Sequence, residues 1–154
     1  MAAERLIGVD IGTQGTKAAL FDRAGACLAE AFEKSEFLHP EPGAIEENPE
    51  TQAASVLRTI RQCLQAARLD PSRVAAVGID SQMGGIMSVD RRFRPVTYYD
   101  TPLDSRSAAE NVDMHERFGE KILALNGSLS TYGPKILYWK KRDAWKDIAR
   151  FLQP

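Results

Sequence analysis

The chain has 154 residues, the length of one ordinary domain, with 44% hydrophobic and 27% charged residues and a formal charge of −1. Twenty lysines and arginines against 21 aspartates and glutamates leave no positive excess to hold a nucleic acid or an anionic membrane. No apolar run approaches the roughly 20 residues of a membrane-spanning helix, and the stretch after Arg5 is too short for a secretory leader. The two cysteines, Cys27 and Cys63, read as free thiols, so the sequence predicts a cytoplasmic protein with no nucleic-acid or membrane partner.

Leu6 to Ile11 and Ala18 to Phe21 are apolar runs on either side of a polar, glycine-rich turn, which predicts a hairpin. A third strand is predicted over Cys27 to Lys34. Residues 35–48, with two prolines, a histidine and several glutamates, read as a loop in which Glu46 and Glu47 are solvated charges. Asn48-Pro49 opens a helix. Its apolar face is predicted from Ala53, Val56, Leu57, Ile60, Cys63, Leu64 and Ala67, and Asp70-Pro71 stops it.

Val74 to Ile79 is wholly apolar and reads as a strand buried on both faces. A polar turn over Asp80 to Gly85 leads to Ile86–Val89 as its hairpin partner. Arg91, Arg92 and Arg94 fall on a solvated turn. The remainder reads as helix: Ser105 to Phe118, a turn near Lys121 to Leu125, then Pro134 to about Ala144. Lys135, Lys140, Lys141, Arg142 and Lys146 are expected on a solvated face of that last helix, and His39 and His115 at the surface. The order β-β-β-α-β-β followed by helices predicts an α/β fold with a mixed sheet rather than a doubly wound one.

The segment Gly8 to Asp22 fits neither common glycine-rich phosphate motif. A Walker A loop needs Lys directly after Gly and a helix beyond it, whereas Thr16 separates Gly15 from Lys17 and a strand follows. A dinucleotide fingerprint needs G-x-G-x-x-G opening a helix. Two readings stay open. One is an ordinary glycine-rich hairpin. The other is a turn whose backbone N–H groups, with Gly12, Thr13, Gln14, Thr16 and Lys17, face a phosphate chain. In the second reading Asp10, at a strand end, suits Mg²⁺ better than phosphate, because its oxygens attract a hard cation and repel an anion.

Read with the rest of the chain, this segment resembles the first phosphate motif of the FGGY carbohydrate kinases, of the actin/Hsp70/hexokinase superfamily. Four further segments resemble family motifs in order. Ala44 to Glu50 is similar to a Glu-x-x-Pro helix entry, and Val74 to Asp90 to the strand–Gln-Met-His–strand element. Thr101 to Ser107 is similar to Leu-Trp-Asn-Asp-x-Arg, and Tyr132 to Trp145 to a Pro-Lys-Leu-Leu-Trp helix start. The resemblance implies a ribonuclease-H-like domain and transfer of the ATP γ-phosphoryl group to a sugar or polyol hydroxyl, with Mg²⁺. It places Asp10 near the metal as a catalytic group, and Gly12, Thr13, Gln14, Thr16 and Lys17 at the ATP phosphates. It places Gln82, Met83, Gly84, Asp104 and Arg106 on the substrate side.

Two departures stand out. Gly84 occupies a histidine position, and Pro102-Leu103 replaces Trp-Asn; both count against xylulose as the acceptor and leave the kinase class intact. The resemblance also implies that residues 1–154 are an N-terminal part of the first kinase domain, with the catalytic base and the nucleotide-side domain farther along the family pattern. On that reading the chain alone is inactive. The alternative function is a stand-alone ribonuclease-H-like module that binds a nucleotide or a partner without chemistry; it is expected to form a homodimer over apolar surface on helix Pro134 to Ala144. A related actin- or chaperone-like ATPase fits the Gln82-Met83 turn less well.

Overall fold

Alternation of apolar and polar residues along the first three strands, the first two ended by short turns with Gly and Gln or Asp and Gly, fixes an antiparallel meander. A computed structural model describes residues 4–129 and 131–153. In chain order the elements are β1 (Arg5–Gly12), β2 (Gly15–Phe21), β3 (Cys27–Lys34), β4 (Glu46–Glu47), α1 (Pro49–Ala66), β5 (Val74–Ser81), β6 (Met87–Val89), β7 (Tyr99–Asp100), α2 (Ala108–Asn126), α3 (Tyr132–Lys140) and β8 (Arg150–Leu152). Short 3₁₀ turns cover Pro71–Arg73 and Asp143–Asp147. The chain divides into two compact units, residues 4–36 with 50–82, and 37–49 with 83–153.

The first unit is a four-stranded sheet in the order β3-β2-β1-β5, with β1 antiparallel to β2 and parallel to β5. Ile7 and Val9 of β1 and Ala18 and Leu20 of β2 point to one face, where Val56, Cys63 and Leu64 of α1 cover them. Two buried hydroxyl residues of α1, Ser55 and Thr59, complete that contact, while Leu57, expected on the apolar face, is 57% exposed. Thr59 tolerates burial because its hydroxyl donates back to the Ser55 carbonyl at 2.9 Å. The β5 strand forms as expected, but it is the edge of the sheet and its residues are largely exposed, Ile79 at 61%. A fully apolar run therefore marked a strand here, but not one covered on both faces.

The second unit holds two short ladders. β4 pairs antiparallel with β7, so the stretch expected as an open loop contributes a strand. β6 pairs antiparallel with β8, and neither is a partner of β5. The turn at Asp90 to Arg94 instead folds Pro95 and Val96 back beside Val89 and Ser88. α2 runs unbroken to Asn126, through the expected turn at Lys121 to Leu125. On α3, Pro134, Lys135 and Tyr138 are buried. The exposed apolar surface expected there lies instead on α2, at Val112, Phe118, Leu123 and Leu125. Among the described residues no helix is long and apolar enough to cross a membrane.

Candidate functional site

The hairpin between β1 and β2 is as tight as hairpins come: Gly12 and Gly15 are register partners, with Thr13 and Gln14 alone between them. At Gly15 a side chain is excluded by close approach of β3. A Cβ there would stand 2.2 Å from the Glu33 carbonyl oxygen and 2.6 Å from the Phe32 ring. The Ser35 N–H donates to the Gln14 carbonyl at 3.1 Å and ties the turn to the end of β3. Thr13 and Gln14 are exposed at the tip.

Strand alternation separates the remaining residues of this stretch. Thr16 is 3% exposed and lies on the α1 side, its hydroxyl 2.6 Å from that of Ser55. Ser55 donates to the Gln52 carbonyl at 2.6 Å, so the Thr16 hydroxyl is the donor in the pair. Lys17 and Asp10 are register partners on the opposite face of the sheet. Lys17 forms an exposed ion pair with Glu30 at 3.0 Å, and the Glu30 carboxylate, by hydrogen bond and charge, raises the lysine pKa above its ordinary value. Asp10 is exposed, and both its carboxylate oxygens lie 3.8 Å from where a Cβ on Gly12 would stand. The parallel neighbour of Asp10 on β5 is Asp80. Gln82 follows at the end of β5 and donates its N–H to the Ile11 carbonyl at 2.9 Å.

In the second unit, Met83 is 81% exposed. The Gly84 N–H donates to the Tyr132 hydroxyl at 3.2 Å. Gly84, Pro102, Asp104, Ser105, Ser107, Ala108, Asn111, Thr131, Pro134 and Lys135 line a cavity of about 290 Å³. A Cβ on Gly84 would meet Pro102 at 3.6 Å, so the glycine leaves that side of the cavity open.

Beside the cavity lies a buried ionic cluster. Pairing β4 with β7 sets Glu46 opposite Asp100, a like-charge cross-strand pair that needs a cation. Arg106 supplies it, with its side chain 6% exposed and its guanidinium 2.6 Å from Glu46, 2.8 Å from Asp100 and 2.8 Å from Asp104. The guanidinium also reaches Glu41 at 3.2 Å and lies 5.3 Å from the Trp139 ring centre. Trp139 donates its indole N–H to Asp100 at 2.6 Å. Asp104 accepts the Ile45 N–H at 3.0 Å, and Lys135, 5% exposed, donates to the carbonyls of Thr101 and Asp104. Glu46, Asp100 and Asp104 have carboxylate oxygens within 4.8 Å of one another, and Arg106 takes the place a metal ion would fill among them.

Two expectations are thereby corrected. Glu46 and Glu47 are 7% and 4% exposed, because their strand is covered and Glu46 has a cation to neutralise it. Lys135 leaves the solvated helix face because two carbonyls and the neighbouring acids replace its water.

Residues 5–147 match the FGGY family of carbohydrate kinases, N-terminal domain. The chain belongs to this family. Among its relatives, a glycerol kinase of Rhodospirillum centenum is 35% identical over 106 residues, 68% of this chain and 21% of that protein. The xylulose kinase of Bacillus subtilis is 23% identical over 97% of this chain and 31% of its own length. Among solved structures, a xylulose kinase from Brucella ovis superposes with a TM-score of 0.88 at 24% identity, over 97% of this chain and 32% of that one. A gluconate kinase from Lactobacillus acidophilus does so with a TM-score of 0.87 at 22% identity, over 97% of this chain and 31% of that one. The fold is thus the actin/Hsp70/hexokinase one, and this FGGY chain spans about a third or less of its relatives' lengths.

Sequence reasoning singled out Asp104 and Arg106 but missed Glu46, Asp100, Lys135 and Trp139. A signal was available. Glu46 is the glutamate of the Glu-x-x-Pro segment, and Lys135 and Trp139 are the lysine and tryptophan of the Pro-Lys-Ile-Leu-Tyr-Trp segment. The separate FGGY motifs of the second unit converge on one cluster.

Proposed function

We propose that the protein containing this FGGY chain transfers the γ-phosphoryl group of ATP to a hydroxyl of a sugar or polyol. The observation that carries this reading is the Gly12–Gly15 hairpin, closed so tightly on β3 that its tip offers backbone, Thr13 and Gln14 alone. Exposed backbone N–H groups at such a tip suit phosphate oxygens. Asp10 offers a carboxylate at the same strand end, and oxygen donors are what Mg²⁺ prefers. When bound, Mg²⁺ neutralises charge on the phosphate oxygens. Gly12, Thr13 and Gln14 hold the phosphates; Thr16 supports the hairpin from the α1 side, and Lys17 contributes charge from its outer face.

The acceptor occupies the cavity of the second unit, beside Gly84 and Asp104, with Gln82 and Met83 leading into it along the chain and Arg106 holding Asp104 in place. The relatives are named for glycerol, xylulose and gluconate, and the open wall at Gly84 and Pro102 favours an acceptor other than xylulose. In this reading the chain is an N-terminal part of the first kinase domain, and the base that accepts the hydroxyl proton is not among its residues. The test is Asp10→Ala in the complete protein. Turnover falls by at least about a hundredfold, as loss of metal charge stabilisation demands, while the unfolding free energy changes by less than about 0.5 kcal/mol, as at other exposed positions. Near-normal turnover in that variant removes Asp10 from the chemistry.

A further inference from the structure

Lys135 is a cation kept in a place where a cation is costly. Its side chain is 5% exposed, and burial pushes the ammonium below its ordinary pKa, opposed by Asp100 and Asp104 and reinforced by Arg106. A packed apolar residue would fill the same volume without that cost. What the ammonium supplies is direction. It donates to the Thr101 carbonyl at 3.0 Å and the Asp104 carbonyl at 3.4 Å. These are the two ends of one turn, which the Asp104 N–H closes onto the Thr101 carbonyl at 3.0 Å. The turn is anchored from its other side by the Thr101 hydroxyl, which donates to the Ile45 carbonyl at 2.8 Å. Pro102 and Asp104 of the turn, and Lys135 itself, line the 290 Å³ cavity.

We infer that Lys135 is a positioning residue for the acceptor: its ammonium fixes the Thr101–Asp104 turn as one wall of the cavity and so sets the affinity for the compound that receives the phosphoryl group. The inference rests on the kinase reading above. Its test is Lys135→Met in the complete protein, assayed with MgATP and with glycerol, D-xylulose and D-gluconate as acceptor probes, beside Lys140→Met on the exposed side of the same helix. The acceptor KM rises about tenfold to a hundredfold, the loss expected for charge-assisted hydrogen bonds, with kcat within about threefold. The KM for MgATP and all constants of the Lys140→Met control stay at the wild-type values. Amide hydrogen exchange over residues 101–106 speeds up, while that of α1 does not.

A rise in both KM values together, an unchanged acceptor KM, or unchanged exchange over 101–106 overturns the role of Lys135 and leaves the kinase reading standing. Should Lys135→Met not fold, Lys135→Arg is read by the same split, because the larger cation displaces the turn while keeping the charge. Wild-type protein that releases no ADP with these three acceptors or with any of a wider panel of sugars and polyols overturns the kinase reading itself, and with it the acceptor role.

Discussion

Asp100 faces Glu46 across a two-residue ladder with Arg106 between them, and its burial there moves its proton equilibrium well above the usual carboxylate range. Burial pushes the Asp100 carboxyl up from 3.8 to about 6, against the Trp139 hydrogen bond and the Arg106 charge. A folded-state pKa above the unfolded one means that the native protein keeps a proton that the unfolded chain has released. Stability therefore rises as pH falls from about 6 toward 4, by at most about 3 kcal/mol for such a shift. Glu33, Glu41, Asp70, Asp90 and Glu110 are lowered by their hydrogen-bond donors and cations, so their contribution has the opposite sign and disappears at lower pH, as they protonate. The expected result is an unfolding midpoint in urea that increases from pH 7 to 5, and a weaker increase in Asp100→Asn; equal slopes in the two proteins would exclude Asp100 as the cause. The sequence makes this cluster hard to see because its partners are 54 and 60 residues apart in pairs such as Glu46–Asp100 and Glu46–Arg106 (100 − 46 and 106 − 46). A charge read with its neighbours in sequence looks solvated; a charge read with its neighbours in space has a counterion. Thr16 shows the same limit differently: its place in the phosphate motif is legible, but its alternation toward Ser55 is a property of the strand.

At the scale of elements, local signals worked where the partner is close along the chain. The meander β1-β2-β3 and the start of α1 at Pro49 follow from period-two alternation and a proline at the first helical position. They failed for β4, β7 and β8, which are two or three residues long and owe their form to pairing alone; β6 is a strand as expected, but its partner is β8 rather than β5. The expected end of the second helix at Phe118 falls short of the observed one at Asn126. Gly119, just beyond the expected helix end at Phe118, is mid-helix, where an added Cβ would meet His115 at 3.8 Å, ordinary contact. The true stop is Gly127, in the left-handed region at φ 70°, with its N–H donating to the Leu123 carbonyl. Opposite effects are expected at the two positions. Gly127→Ala destabilises by about 1 kcal/mol, and Gly119→Ala stabilises by about 0.5–1 kcal/mol. Thermal unfolding of both variants checks this; stabilisation by Gly127→Ala would contradict the capping geometry.

For the whole molecule, the family membership and the fold were both legible, because five short segments in a fixed order carry more information than any one of them. What the order could not convey is which residues of those segments act on each other. The structure brings Glu46, Asp100, Asp104, Arg106, Lys135 and Trp139 into one cluster of the second unit. It leaves Asp10 and the Gly12–Gly15 turn as the exposed end of a hairpin in the first. In the proposed function that turn takes the phosphates and the cavity beside the cluster takes the acceptor, since phosphoryl transfer to an alcohol relies on positioning and charge stabilisation. The most direct measurement is ADP release from MgATP by the complete protein, with and without glycerol, D-xylulose, D-gluconate and other polyols. Release that needs one of these acceptors, and yields its phosphate ester in equal amount, is the predicted result. Release at the same rate without any acceptor, or none with every acceptor, would contradict the account.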